Sequence, residues 1–143
     1  MRENMGLYRG KRKDNGEWAE GNLFENDNSN YPMVLIGHVV MSRDKHTNEL
    51  SFDGFGLHEV DPETVGQYTG KDDSNGQKVF ADDIVKVFTG IGCHHPFVGV
   101  IRYRGCGFHF EFGQYGKVLF GEWAREFYVI GNIHDNPELL EVK

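Results

Sequence analysis

The side chains best suited to bind a metal ion lie close together in the second half of the chain. Cys93, His94 and His95 are followed by Cys106 and His109, so thiolate and imidazole ligands of the kinds that zinc prefers fall within a short stretch. Their spacing matches no familiar zinc motif, and small buried thiols and exposed imidazoles explain the same residues. We therefore expect no metal and no cofactor, and purified protein without stoichiometric zinc.

An acidic stretch earlier in the chain resembles part of a calcium-binding loop. Asp73, Asn75, Gly76 and Asp82 occupy the third, fifth, sixth and twelfth places of that loop, but Lys71 stands at the first place. A cation at the position of the first carboxylate ligand repels calcium. This stretch is therefore interpreted as a turn, for which Asp, Asn and Gly are well suited.

The sequence shows no convergent set of titratable groups of the kind that catalysis needs. Asp82 and Asp83 are adjacent, and adjacent side chains at the start of a strand point to opposite faces, so they cannot easily act as a paired acid and base. Asp83 is better explained as a cap for the loop that leads into Ile84. We predict a protein without catalytic residues, and an enzyme of unknown type is the least favoured alternative.

The N-terminal region is predicted to consist of strands and turns. Residues 7–12 and 17–24 flank Asn15-Gly16, a dipeptide that supplies the two positive φ angles of a type I′ turn, which predicts a β-hairpin. Residues 31–41 suit one or two strands broken near Gly37 and His38. Residues 49–52 can pair back onto them.

Two short helical turns are predicted elsewhere in the chain. Asp61-Pro62-Glu63 combines a capping side chain, a proline suited to the first helical turn and an acidic residue favoured by the helix dipole. The second turn lies at residues 136–140, where Pro137 follows an asparagine.

The C-terminal region is more regular and predicts five strands. Phe108, Phe110 and Phe112 alternate with His109 and Glu111, a period of two that fits a half-buried strand. Glycines separate the runs, and five strands at this spacing can wrap into a small barrel that is partly open. The predicted strands cover residues 84–89, 97–103, 107–112, 117–120 and 127–133.

The whole chain is therefore predicted to be one all-β domain, residues 1–143, with two sub-parts. Residues 1–78 form an N-terminal β region, and residues 79–143 form a five-stranded barrel-like region. A length of 143 residues suits a single domain.

Several spaced motifs together resemble the YopX family, whose members are encoded by phages and prophages of bacteria. They are found at residues 8–12, 14–18, 20–21, 67–70, 83–85 and 130–140, together with Asp73, Gly76 and Phe80. The resemblance implies a mostly β fold whose C-terminal part is like a partly open SH3-type barrel, and it implies no activity. One departure is Ala81-Asp82, where the family usually has Glu-Gly; Asp tolerates a positive φ less well, which predicts a strained or reshaped turn.

Charge and hydropathy restrict the compartment and the partners. No apolar run is long enough to span a membrane, and no secretory signal is visible, so we expect a protein of the bacterial cytoplasm with reduced cysteines. Residues 1–13 carry 5 basic and 1 acidic side chains, whereas residues 14–83 carry 4 basic and 15 acidic side chains. The acidic segment would repel the phosphates of a nucleic acid.

These observations favour an accessory binding module of a phage or prophage, with an unknown phage or host protein as its partner. A nucleic-acid-associated protein of phage replication or regulation is the alternative, in which the basic hairpin would make the contacts. A homo-oligomer is expected, either through Tyr8 and Trp18 of that hairpin or through a free edge at residues 97–103. The candidate interaction surface consists of Tyr8, Arg9, Lys11, Arg12, Trp18, Tyr103, Phe110, Tyr115, Trp123 and Tyr128. Most of the aromatic members could instead belong to the core.

Overall fold

The computed structural model of the chain describes residues 6–26, 30, 32–88, 96–113, 117–120 and 126–140. The chain forms two compact units, an N-terminal unit that ends at Gln67 and a C-terminal unit that begins at Tyr68. Strands dominate both units, which confirms the predicted all-β class.

Antiparallel strands form the N-terminal unit. In chain order they are β1 (Tyr8–Lys11), β2 (Trp18–Asn26), β3 (Met33–Arg43), β4 (Leu50–Glu59) and the first residues of β5 (Gly66–Asp72). Each of the first three pairs with the next, and β1 also pairs with Gly66 and Gln67 of β5. Because β1 has a neighbour on both sides, it offers no free edge for strand pairing with another copy. Self-association through Tyr8 and Trp18 stays a prediction.

The turn of the first hairpin differs from the predicted type I′. Gly16 has a φ of +74°, whereas Asn15 is not among the residues with a positive φ. The Asn15 side chain accepts a hydrogen bond from the Glu17 backbone N–H at 2.9 Å, and the Gly16 N–H donates to the Arg12 carbonyl oxygen at 2.9 Å. The result is a longer loop that glycine closes, because the asparagine side chain stabilises a local turn of its own.

The predicted break near Gly37 and His38 is also wrong, because β3 runs through both residues. Gly37 has a φ of +154°, and a Cβ atom there would lie 1.8 Å from the Gly56 carbonyl oxygen of β4. Glycine thus allows two backbones to approach closely within a continuous strand. The core of this unit consists of Ala19, Ile36 and Val60.

The first predicted helical turn is present as a 3-10 turn, Pro62–Thr64. The Asp61 carboxylate accepts a hydrogen bond from the Glu63 backbone N–H at 3.1 Å, as an N-cap should. The Thr64 hydroxyl in turn accepts a bond from the Lys11 backbone N–H at 2.8 Å, which fixes this turn to β1.

The C-terminal unit contains the rest of β5 and six further strands. The strands are β6 (Lys78–Phe80), β7 (Asp83–Phe88), β8 (Phe97–Arg104), β9 (Gly107–Glu111), β10 (Lys117–Leu119) and β11 (Glu126–Asn132). The last five follow the order β10-β9-β8-β7-β11, so the predicted five strands are confirmed in an open sheet rather than a closed barrel. The strand β8 is interior, and the free edge predicted at residues 97–103 is wrong. The boundary between the two units falls after Gln67 rather than at the predicted residue 78. From Tyr68 onward β5 belongs to the C-terminal unit, where it pairs with β6.

The core of the C-terminal unit lies on one face of this open sheet. It contains Val79, Val85, Val87, Ile101, Phe110 and Phe127. Phe108 and Phe112 pack against it, which confirms the predicted alternation in β9. The second predicted helical turn is present as the 3-10 turn Pro137–Leu140.

Two buried aspartates organise the loops of this unit. Asp83 is 1% exposed and accepts a hydrogen bond from the Phe80 backbone N–H at 2.8 Å, which confirms its predicted capping role. The Asp73 carboxylate accepts bonds from the backbone N–H groups of Asn75, Gln77 and Val129 at 2.8–2.9 Å. Asp73 therefore holds both its own turn and the more distant strand β11.

Candidate functional site

An open groove lies on the C-terminal unit, between strands β8 and β9 and the C-terminal 3-10 turn. Its volume of about 550 Å³ falls within the range of ligand-binding clefts. The residues that line it are Pro96, Phe97, Val98, Val100, Arg102, Glu111, Phe112, Gly113, Leu139 and Leu140.

The groove exists because β8 is apolar on both faces. Ile101 is fully buried and pairs with Phe110 in the core, whereas Val98, Val100 and Arg102 point to the other face and line the groove. Val100 is only 5% exposed, although it lies on the face away from the core. A strand that is buried on both faces requires a second covering layer, which the C-terminal turn supplies.

The C-terminal turn is held in place by asparagine side chains. The Asn132 side-chain oxygen accepts hydrogen bonds from the backbone N–H groups of His134 and Asp135 at 3.0 and 2.9 Å. The Asn136 N–H donates to the Asn132 carbonyl oxygen at 2.8 Å. These bonds direct the chain back over the sheet, where Leu139 is half-buried and Leu140 is 43% exposed.

Two of the lining residues, Arg102 and Glu111, belong to a network of charged side chains. The Arg102 guanidinium lies 2.7 Å from the Asp82 carboxylate and 3.9 Å from that of Glu111, and Arg104 lies 2.6 Å from Glu111. Its hydrogen bond to Glu111 raises the pKa of Arg104. The His134 ring nitrogen lies 3.0 Å from the other Asp82 oxygen. Two arginines thus balance two carboxylates.

Asp82 joins this network in an unusual backbone conformation. Its φ is +74°, in agreement with the strained turn predicted at Ala81-Asp82. Its backbone N–H donates to the Ile101 carbonyl oxygen, and its carbonyl oxygen accepts from the Ile133 N–H. Asp82 therefore joins the β6–β7 turn to β8 and to the end of β11 through both backbone and side chain.

The groove is lined mainly by apolar side chains. Its ten described lining residues include no Ser, Thr, Cys, Lys or His, and its one carboxylate, Glu111, is paired with Arg104 at 2.6 Å. Two aromatic rings, Phe97 and Phe112, lie 5.3 Å apart between centroids at its rim. Apolar walls beside paired charges are suited to an apolar group that carries a polar or charged end.

The basic hairpin brings three of the predicted surface residues together. Arg9 lies 4.6 Å and Lys11 5.6 Å from the centre of the Trp18 ring, in cation–π contact. Arg12 instead forms a two-point contact with Asp14, which lowers the pKa of that carboxyl group and raises that of Arg12. Tyr8 is half-buried and packs against the core of the N-terminal unit.

The other predicted surface residues do not form one patch. Tyr103 is 54% exposed with its ring edge against Phe108. Tyr128 is half-buried and donates a hydrogen bond to Glu126, which raises the pKa of Tyr128. Phe110 is 1% exposed, so its prediction as a surface residue is wrong; its side chain belongs to the apolar face of β9. Tyr115 and Trp123 lie outside the described residues.

The predicted metal-ligand cluster can be followed only in part. Cys106 is exposed and His109 is half-buried on β9, while Cys93, His94 and His95 lie outside the described residues. In the described ranges no group of three or more potential ligands comes together. The same ranges hold no helix with the length and apolar character needed to cross a membrane.

Sequence analysis missed the groove residues themselves. A signal was present in β8, because Phe97-Val98-Gly99-Val100-Ile101 is apolar at consecutive positions rather than alternate ones. Such a run is typical of a strand covered on both faces. It indicates a second layer over the sheet, although it does not say which segment supplies that layer.

The fold and the groove define a two-unit all-β protein with an open, mainly apolar groove on its C-terminal unit. The YopX protein family model matches residues 7–141, so the chain belongs to the YopX family. The structure is similar to the crystal structure of protein EF1440 from Enterococcus faecalis, with a TM-score of 0.60 and 26% sequence identity. That similarity covers 94% of this chain and 96% of the other. No curated protein matches the sequence.

Proposed function

We propose that this chain is a phage- or prophage-encoded accessory protein that acts without catalysis, as a protein-binding module in the cytoplasm of the bacterial host. The observation that carries the proposal is the groove between β8, β9 and the C-terminal turn. Its size, its apolar walls and the ion pairing of its one lining carboxylate, Glu111, favour recognition over bond-making.

The occupant we propose is a short peptide segment that offers neighbouring apolar side chains and a basic side chain. Phe97, which is 39% exposed, and Leu140 provide apolar contact at the rim of the groove. Glu111 retains 26% of its side-chain surface, so a basic side chain of the peptide would share this carboxylate with Arg102 and Arg104. A net charge of -7 also favours approach of a basic partner.

The test selects peptides from a random displayed library on the full-length protein and measures their affinities by fluorescence anisotropy. Leu140→Asp introduces a charge into the groove and should weaken the selected basic, apolar peptides by about tenfold or more, because an apolar leucine contact contributes on the order of 2 kcal/mol. Ile130→Asp is the matched control, since Ile130 is 38% exposed in the same unit but does not line the groove. Equal losses in both variants, or no selected peptide, would contradict the proposal.

A nucleic-acid-associated role is the second candidate, favoured by Arg9 and Lys11 on either side of Trp18. Aromatic and basic side chains together can hold a single strand. However, Arg12 and Lys13 form ion pairs with Asp14 and Glu59. We therefore expect only weak binding to DNA that disappears as salt rises to physiological concentration. A sequence-selective complex that survives physiological salt would favour this role instead.

The phage context has a separate test in the genome. Phage genes of related function lie next to one another, so the genes adjacent to this one should encode replication, lysis or packaging proteins. A neighbourhood of ordinary bacterial metabolic genes would contradict the phage assignment without affecting the peptide-binding proposal.

A further inference from the structure

The hairpin of β3 and β4 exposes a large apolar surface in the N-terminal unit. Met41, Leu50, Phe52 and Phe55 are 62%, 61%, 60% and 66% exposed, respectively. We name these four residues the arm patch. The rings of Phe52 and Phe55 stack on each other with 6.0 Å between centroids.

The strand register places the whole arm patch on one face of the hairpin. Phe55 pairs with Val39, Phe52 with Met41, and Leu50 with Arg43. Since Val39, Met41 and Arg43 alternate along β3, they share a face, and their partners share it too. A register shift between Val40 and Met41 brings both phenylalanines to this side.

The opposite face of the same hairpin has a different character. It carries Ser42 opposite Ser51, whose hydroxyl groups hydrogen-bond at 2.9 Å, and His38 opposite Gly56. Val40 is its one strongly exposed apolar residue within β3 and β4, at 59%. Beyond the buried Ile36, the outer part of the hairpin is thus apolar on one side and mostly polar on the other.

We propose that the arm patch is the interface through which two copies of this chain associate, face to face about a two-fold axis. In this arrangement Phe52 of one copy contacts Phe55 of its partner, so a single patch is complementary to itself. Sheets pack in this way at about 10 Å when their facing side chains interdigitate.

The area of the patch supports a second copy as its occupant. At the observed exposures the four side chains offer roughly 500 Å² per copy, or about 1,000 Å² for a pair, which reaches the lower limit for a biological interface. A patch of this size compares with the largest apolar patches on monomeric proteins, which are often functional.

The charges around the patch favour an apolar partner. This face of the paired hairpin carries two charged residues, Glu59 at the end of β4 away from the patch and Arg43 beside the patch. The Arg43 guanidinium donates to the backbone and side-chain oxygens of Asn48 at 2.9 and 3.1 Å. The face therefore lacks the cluster of cations that nucleic acid requires. The inference is independent of the groove, which lies in the other unit.

The test is the mass of the full-length protein by light scattering and analytical ultracentrifugation over a concentration series. We expect a dimer at micromolar concentration that dissociates on dilution. The double substitution Phe52→Ser with Phe55→Ser should give a monomer throughout the series. Both positions are exposed, so the folded units should be retained, which circular dichroism would verify.

Val40→Ser is the matched control, because it removes a similarly exposed apolar side chain from the other face of the same hairpin. This variant should remain a dimer. A wild-type monomer mass at high micromolar concentration would overturn the proposal. So would a dimer that survives the double substitution, or one that Val40→Ser disrupts equally. Met41→Ser, a single change in the patch, should give an intermediate dissociation constant.

Discussion

The two units share antiparallel sheets but bury very different amounts of apolar side chain. The buried core of the N-terminal unit consists of one alanine, one isoleucine and one valine, whereas that of the C-terminal unit has six members, among them Phe110 and Phe127. The N-terminal unit instead leaves Phe52 and Phe55 exposed. Since burial of a large apolar side chain contributes about 1.5–3 kcal/mol, the N-terminal unit should be the less stable of the two.

The difference separates two uses of aromatic residues in one chain. In the C-terminal unit they build a core that supports the groove, so that unit can present a binding surface by itself. In the N-terminal unit Phe52 and Phe55 remain on the surface, where their burial depends on a partner. The fluorescence of Trp18 can follow unfolding of the N-terminal unit. Trp123→Phe would leave Trp18 as the single tryptophan of the chain.

The largest expected effect compares two phenylalanines. Phe110→Ala should lower the free energy of unfolding of the C-terminal unit by about 3–5 kcal/mol, because it creates a cavity at a residue that is 1% exposed. Phe52→Ala, at 60% exposure, should change stability by less than about 0.5 kcal/mol below the concentration of association. Denaturant titrations followed by circular dichroism measure both. Similar losses in the two variants would contradict the contrast between the units.

The next effect concerns the polar support of the C-terminal unit. Asp73→Ala should destabilise this unit by about 2–3 kcal/mol, because three backbone N–H groups lose their acceptor and each can reach water only in part. Asp73→Asn keeps one acceptor oxygen and should lose less. Hydrogen exchange of the Val129 amide gives the local readout, and unchanged protection in the alanine variant would show that Asp73 does not hold β11.

The features that the sequence predicted correctly depend on residues that are close together along the chain. The alternation of Phe108, Phe110 and Phe112 depends on one strand, and the structure confirms it. The cap at Asp61 depends on neighbouring residues and is likewise confirmed. The same alternation could have placed Phe110 in the core, because it shares a face with two other phenylalanines.

What could not be predicted depends on contacts between distant segments. The groove requires the turn that carries Leu139 to fold back over β8, which residue spacing alone does not specify. The arm patch requires a register shift in the pairing of β3 with β4, and this shift decides which face Phe55 occupies. The turn at Asn15 differs from the predicted type I′ because the Asn15 side chain accepts a hydrogen bond from the Glu17 N–H, which competes with the expected backbone conformation.

A smaller effect tests the strained turn beside the groove. Asp82→Gly relieves the cost of a positive φ but removes the ion pair with Arg102 and the hydrogen bond with His134, so its net effect should be small. Asp82→Ala loses the same contacts and keeps the strain. The alanine variant should therefore be less stable than the glycine variant by about 1 kcal/mol. Equal stabilities in thermal unfolding would mean that the turn relaxes when the side chain is removed.

The smallest effect is a pH dependence of local stability at the tip of the β3–β4 hairpin, in the less stable N-terminal unit. The Asp44 carboxylate accepts backbone hydrogen bonds from His46 and Thr47 at 2.7 and 3.0 Å, and these bonds lower its pKa below the ordinary value of 3.8. A lowered folded-state pKa means that the stabilisation is fully present above pH 3.8 and is lost as the pH falls through the folded value. Hydrogen exchange at the hairpin tip, corrected for the intrinsic rates, should therefore become faster below this pH in the wild type. Asp44→Asn keeps an acceptor oxygen but cannot titrate, so its protection should not show this dependence; an equal loss in both proteins would assign the effect to other groups.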